Sequence, residues 1–255
     1  MLGLDPAPTQ FDLRFQLFGI PVRIHPWFWI VAVLLGNLRG TPVELLIWVA
    51  VVFVSILVHE LGHALAMRRY GQRPRIVLYA FGGYATAQPE YYSWAGSTTA
   101  SATRLSAQQQ IHVLLAGPGA GFLLACVVLV AIKLCGGDVG FARDFPIFWR
   151  FRLPVGNPRD YWLLYMTVFQ LLYVNVWWGL INLLPVWPLD GGQIARVVCL
   201  LVDPWRGLGV SLIISTCVGA GIAVWALLQQ EIFLAVLFGM LAWSSYQMMV
   251  PGMRG

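Results

Sequence analysis

In 255 residues this chain is 59% hydrophobic and only 11% charged, with a mean hydropathy of +0.73 and a formal net charge of +5. An average soluble domain carries about 25% charged residues, so the composition excludes an ordinary soluble protein. Apolar stretches recur along the whole length, which also excludes a soluble domain on a single anchor, and the modest positive charge has no basic cluster that would suit nucleic acid.

Residues 1–24 lack a basic segment followed by an apolar run and a small-residue cleavage site, so they read as a retained N-terminal interfacial segment. The stretch "PWFWIVAVLLGNL", Pro26 to Leu38, is shorter than the roughly 20 residues a helical crossing needs. With Trp27 and Trp29 as interfacial anchors it is counted as the first of six spans. Pro42 to Met67 follows as a full-length span. Residues 75–88, "RIVLYAFGGYATAQ", are too short and too broken by glycine to cross, yet β-branched and aromatic residues flank Gly82 and Gly83. That is a hairpin signal, and a re-entrant hairpin is expected here, with a strand near 14–24 as candidate partner. Further spans are Ile111 to Cys135, Tyr161 to Leu184, Gly207 to Leu228 and Ile232 to Val250. Cys126, Cys135, Cys199 and Cys217 show no C-x-x-C spacing and read as inert. The expected fold is one integral-membrane domain over 1–255, an all-α polytopic protein of about six transmembrane helices with a small membrane-associated β-hairpin or sheet and no separate soluble domain.

Six spans with the N-terminus inside put ten Lys and Arg on the inner side and six on the outer, so the positive-inside rule favours a cytoplasmic N-terminus. The second and fourth spans then run in the same direction. Each carries ionisable or helix-breaking residues near its inner end.

In the second span, "HELGH" places His59 and His63 four residues apart, on one helix face, with Glu60 one position round. H-E-x-x-H supplies two zinc-binding nitrogens and a carboxylate able to take a proton from water. A membrane helix makes coincidence rare, because each buried ionisable group costs about 2.5 kcal/mol or more. A catalytic zinc needs three protein ligands, and His25 and His112 have no partner at ligand spacing. The remaining candidate is Asp190, in "NLLPVWPLDGGQ" (182–193), where two prolines and two glycines open the fourth span near the same depth. Taken alone, Asp190 would serve equally as a helix N-cap. The shared direction of the two spans favours a common site on the order of 10 Å from the inner surface.

"HELGH" followed by "NLLPVWPLDGG" closely resembles the site-2 protease family of intramembrane zinc metalloproteases, and the resemblance extends to "FQLFGIPVRIHPWFW", "VLYAFGGYA" and "LLAGPGAG". It implies that His59, His63 and Asp190 hold one zinc per chain, that Glu60 is the general base, and that Asn182 can hydrogen-bond the reacting carbonyl oxygen. Family members often carry asparagine three residues after the Gly-Pro of the third span; Gly121 stands there here. The expected activity is hydrolysis of peptide bonds within or next to transmembrane helices. Such a helix must be unwound to be cut, and the edge of the hairpin, with Val77, Gly82, Gly83 and Tyr84, is the candidate substrate-binding strand. The expected partners are a transmembrane protein substrate, membrane lipid and a regulatory membrane protein, with no nucleic acid. The alternative is a zinc or proton transporter using the same buried His, Glu and Asp; it predicts an internal repeat and ionisable groups strung across the membrane, and neither is found.

Overall fold

A computed structural model describes residues 6–36, 40–80, 82–87, 105–141, 149–153 and 161–249. It separates into two compact units, Met1–Thr103 with Ala116–Gly179 and Arg104–Leu115 with Leu180–Gly255. Five helices among the described residues are long and apolar enough to cross a membrane.

The first unit opens with β1 (Leu13–Leu17) and β2 (Ile20–Ile24), joined through Phe18 and Gly19 at φ 51° and 76°. Two successive positive φ values match the twist of a tight antiparallel hairpin, and glycine takes the second at no steric cost. Helix α1 (Pro26–Leu34) follows, capped by His25, whose Nδ1 accepts from Trp27 N at 3.3 Å. Helix α2 (Pro42–Arg69) starts with a full capping box between Thr41 and Glu44 and has Arg68 and Arg69 in its last turn, where cations suit the helix dipole. Strands β3 (Pro74–Tyr79) and β4 (Gly82–Ala87) complete a sheet in the order β1-β2-β3-β4, in which β2 and β3 are parallel. The expected hairpin and its partner strand are therefore present; Phe81 and Gln88 lie outside the described residues.

The parallel pair explains how the chain travels. It sets β2 beside β3, and α1 then packs on the first half of α2: Phe28 and Trp29 lie against Phe53, and Trp48 Nε1 donates to Ala32 O at 3.0 Å. The span expected from Pro26 to Leu38 is corrected here: α1 ends at Leu34 after nine residues, about 14 Å of rise, too short to cross as a helix. Leu35 caps the helix, and Asn37 and Leu38 of the expected span lie outside the described residues. Five full-length helices and this short one stand where six spans were expected.

Helix α2 buries Val52, Ser55, Ile56, His59, Glu60, His63 and Ala64, a stripe at three- and four-residue spacing. Against it pack Ile20, Val22, Ile24, Phe28, Ile76 and Leu78 from the sheet and α1. Helices α3 (Ala107–Leu134) and α4 (Trp162–Asn182) contribute the second cluster, centred on Ala125 and Leu172. Between them β5 (Asp138–Phe141) and β6 (Trp149–Arg152) form an antiparallel two-stranded sheet that no apolar pattern signalled.

In the second unit α5 (Asp190–Val202), α6 (Gly207–Leu228) and α7 (Ile232–Met249) follow the turn after α4. Their core joins Val186 of that turn to Ala223 and Phe238. Gly219 lets α6 approach α7, since a Cβ there would sit 3.2 Å from that of Ala242.

Candidate active site

His59 and His63 project from successive turns of α2 and turn their Nε2 atoms toward each other at 3.1 Å, with ring planes 80° apart. Both are buried, at 3% and 7% exposure, as is Glu60 at 3%. Two imidazole nitrogens converging in an apolar interior form a pair of nitrogen ligands of the type that suits a divalent cation such as zinc. Glu60 lies one residue from the first of them.

Glycines make this arrangement possible. A Cβ on Gly117 of α3 would overlap the His63 imidazole, and one on Gly62 would overlap the Ala116 carbonyl, so α2 and α3 approach at the level of the histidines because neither residue has a side chain. Gly83, at the start of β4, performs the same service for Glu60: a Cβ there would lie 2.6 Å from its Cγ and 2.9 Å from its Oε1. Gly82 adopts φ +115°, a conformation open to glycine, and faces Trp178 of α4. The beginning of β4 thus borders the carboxylate directly.

The expected substrate-binding residues separate on inspection. Val77 sits in β3 between Arg23 of β2 and Tyr84 of β4, paired on both sides and 1% exposed, whereas Tyr84 stands on β4, the last strand of the sheet. Of these two strands, β3 is paired on both sides and β4 is an edge of the sheet among the described residues, as β1 is at the other end. Gly121, where an asparagine was the pattern, faces α4: a Cβ there would lie 3.5 Å from Asn175 Oδ1. Asn175 is 2% exposed and donates to Ser55 Oγ and Leu171 O, both at 2.8 Å. The amide at this level therefore comes from α4.

The second unit holds the other two expected residues. Asn182 is the last residue of α4 and Asp190 the first of α5, both buried, at 8% and 7%. Gly191 and Gly192 lie so close to the Leu183 and Val186 carbonyls that a Cβ on either would overlap the backbone of the turn. The turn is thereby folded tightly over the start of α5. His25 is occupied as a helix cap and His112 is exposed, so neither joins the histidine pair.

The model for peptidase family M50 matches residues 47–203. A zinc metalloprotease of Methanocaldococcus jannaschii is 25% identical over 193 residues, 74% of this chain and 46% of that protein. Stage IV sporulation protein FB of Bacillus subtilis is 28% identical over 176 residues, 69% of this chain and 46% of that one. The chain thus spans just under half the length of the curated relatives it matches. Among solved structures, the site-2 protease from Methanocaldococcus jannaschii superposes with a TM-score of 0.56 at 20% identity, covering 93% of this chain and 94% of that one. That likeness establishes the fold.

Proposed function

The chain belongs to peptidase family M50, and from that premise we propose that it is an intramembrane zinc metalloprotease that cuts membrane-anchored substrates within or next to their transmembrane helices. The observation that carries this reading is the buried His59–His63 pair with its nitrogens 3.1 Å apart and Glu60 beside it. Asp190 is the third ligand, giving one zinc per chain. The three donors fit zinc by type, two imidazoles and a carboxylate.

Zinc, when bound, supplies Lewis acidity that brings the pKa of a water to near 7 and polarises a peptide carbonyl. Glu60 takes a proton from the attacking water and delivers it to the leaving amine. Asn182 donates its amide to the carbonyl oxygen as charge develops there. Hydrolysis consumes one water per cut, and water reaches the site from the cytoplasmic side, near which the site lies. The N-terminus is cytoplasmic in the same orientation. A single cysteine placed near Arg73 is then labelled by a membrane-impermeant reagent from the cytoplasmic side, and one near Arg150 from outside; the reverse pattern would overturn this topology.

A helical substrate presents no free backbone, so it must be extended before it can be cut. β4 provides the edge that takes it up by strand addition. Support comes from Gly83, which brings that strand against Glu60. Tyr84→Pro removes a ladder donor from β4, so cleavage of a transmembrane substrate should fall at least tenfold while a short, already extended peptide is cut at nearly the wild-type rate. Equal losses on both substrates, at unchanged zinc content, would mean that β4 supports the site and does not present substrate. Prior trimming of the substrate, or a regulatory membrane protein, controls access.

A further inference from the structure

The match to the family ends at residue 203, before α6 and α7 begin. These two helices carry a buried polar chain. The Trp187 N–H donates to Ser215 Oγ of α6 at 2.7 Å, Ser215 and Ser245 of α7 share a hydrogen bond of 2.8 Å, and Ser245 Oγ reaches Leu241 O at 3.0 Å. Ser215 is 1% exposed and Ser245 0%. The direction of every bond is determined. A carbonyl only accepts, so the Ser245 proton is committed to Leu241. Ser215 must then donate to Ser245, which leaves a Ser215 lone pair for the Trp187 N–H.

That N–H belongs to the turn that delivers Asp190. Trp187 precedes Asp190 by three residues, Pro188 has no N–H, and Leu189 N closes the turn on Val186 O at 2.8 Å. Val186 is fully buried against Ala223 and Phe238, and the Arg196 guanidinium lies 5.3 Å over the Trp187 ring. Turn and carboxylate therefore move together, and the polar tie that fixes their height runs to α6 and through it to α7. Ser211, one turn earlier on α6, differs. It is also buried, at 5%, but gives its proton to Leu208 O of its own helix.

We propose that Ser215, backed by Ser245, is a positioning residue for the metal: it holds the 186–189 turn so that the Asp190 carboxylate stands at the zinc position. The proposal rests on the reading of Asp190 as a zinc ligand. It assigns the C-terminal pair of helices a part in metal affinity, which groups behind a ligand commonly tune by about 10–100-fold.

The test measures zinc affinity by chelator competition on the purified full-length chain, together with its unfolding temperature after zinc removal. Ser215→Ala should bind zinc at least about tenfold more weakly, Ser245→Ala should show a smaller loss, Ser215→Thr should retain wild-type affinity through its hydroxyl, and Ser211→Ala should be unchanged. Asp190→Ala is the reference and should lose the metal. Wild-type affinity in Ser215→Ala, beside loss in Asp190→Ala, would overturn the positioning role and leave the zinc reading standing. A lower metal-free unfolding temperature in Ser215→Ala with unaltered zinc affinity would reduce Ser215 to a support of the fold, which also overturns the proposal. Zinc held normally by Asp190→Ala would remove the ligand itself and the proposal with it. If Ser215→Ala does not fold, Ser245→Ala decides, because it keeps the bond to Trp187 and removes only its backing.

Discussion

Gly117→Ala should abolish zinc retention in a protein that still folds. The added methyl has nowhere to go, because the position of its Cβ coincides with the His63 imidazole. Helix α3 cannot withdraw easily, since Gly62 of α2 already packs against the Ala116 backbone one residue away. Interiors are packed too tightly to absorb a clash of this size by small adjustments. The ring is the part that can rotate, and rotation takes Nε2 away from the 3.1 Å pairing with His59. On the proposed reading of His63 as one of three zinc ligands, zinc affinity should fall at least about 100-fold, beyond the usual effect of a group behind the ligand, and cleavage should fall with it. Gly119→Ala is the matched control. It lies two residues along the same helix and its Cβ would meet no atom within 4 Å, so zinc and activity should stay at wild-type levels. Metal analysis after gel filtration, with unfolding temperature as the check on folding, separates the two variants. Zinc retained by Gly117→Ala would mean that His63 holds the metal in another rotamer, or does not hold it.

The same glycines mark what was legible in the sequence. Long apolar runs gave five helices nearly to the residue, as for Gly207–Leu228, because crossing length and hydropathy are properties of a segment alone. His59 and His63 could be placed on one face, with Glu60 one position round, because helix periodicity is local as well. Gly83 was legible as a turn residue, but its contact with Glu60 depends on where the sheet packs, and no local pattern encodes that. Gly117, inside "LLAGPGAG", showed no role for the same reason. Asn175, Ser215 and Ser245 passed unnoticed. A lone asparagine or serine in an apolar run is compatible with back-bonding to its own helix, as Ser211 does, and only the neighbouring helix shows which ones reach further. The β5-β6 pair was not legible because four-residue strands carry too little periodicity to register. α1 was overextended because hydropathy continues past Leu34 while the helix stops.

Arginines Arg14 and Arg23, directly opposed on β1 and β2, illustrate the limit from the other side. Like charges facing each other across strands are unfavourable, yet Asp12 reaches both, at 3.6 and 3.5 Å, from the turn before β1. Burial of the Asp12 carboxylate pushes its pKa up, but two hydrogen bonds from Thr9 and the charge of Arg23 more than offset this, and it titrates below the ordinary aspartate range. The N-terminal segment is thus tied to the sheet by a local charge arrangement that no apolar pattern would have revealed.

The central claim is that the buried carboxylate between the two histidines moves protons for peptide hydrolysis at zinc. Glu60 is 3% exposed and one residue from His59, and a Cβ at Gly83 would lie 2.6 Å from its Cγ and 2.9 Å from its Oε1, so the bare backbone of β4 makes room for the carboxylate. Glutamine has the same shape and can keep a hydrogen bond, but it cannot accept a proton at neutral pH. General-base assistance contributes about 10²–10⁴-fold, so Glu60→Gln should lower cleavage on the order of a thousandfold while leaving the zinc ligands untouched. The direct measurement is cleavage of a single-span substrate by the full-length chain in liposomes, with zinc quantified in the same preparations of wild type and Glu60→Gln. The account predicts one zinc per chain in both and cleavage in the wild type alone. Glu60→Gln protein that holds its zinc and still cuts at the wild-type rate, or wild-type protein that holds zinc and moves it across the bilayer without cutting any peptide, would contradict it.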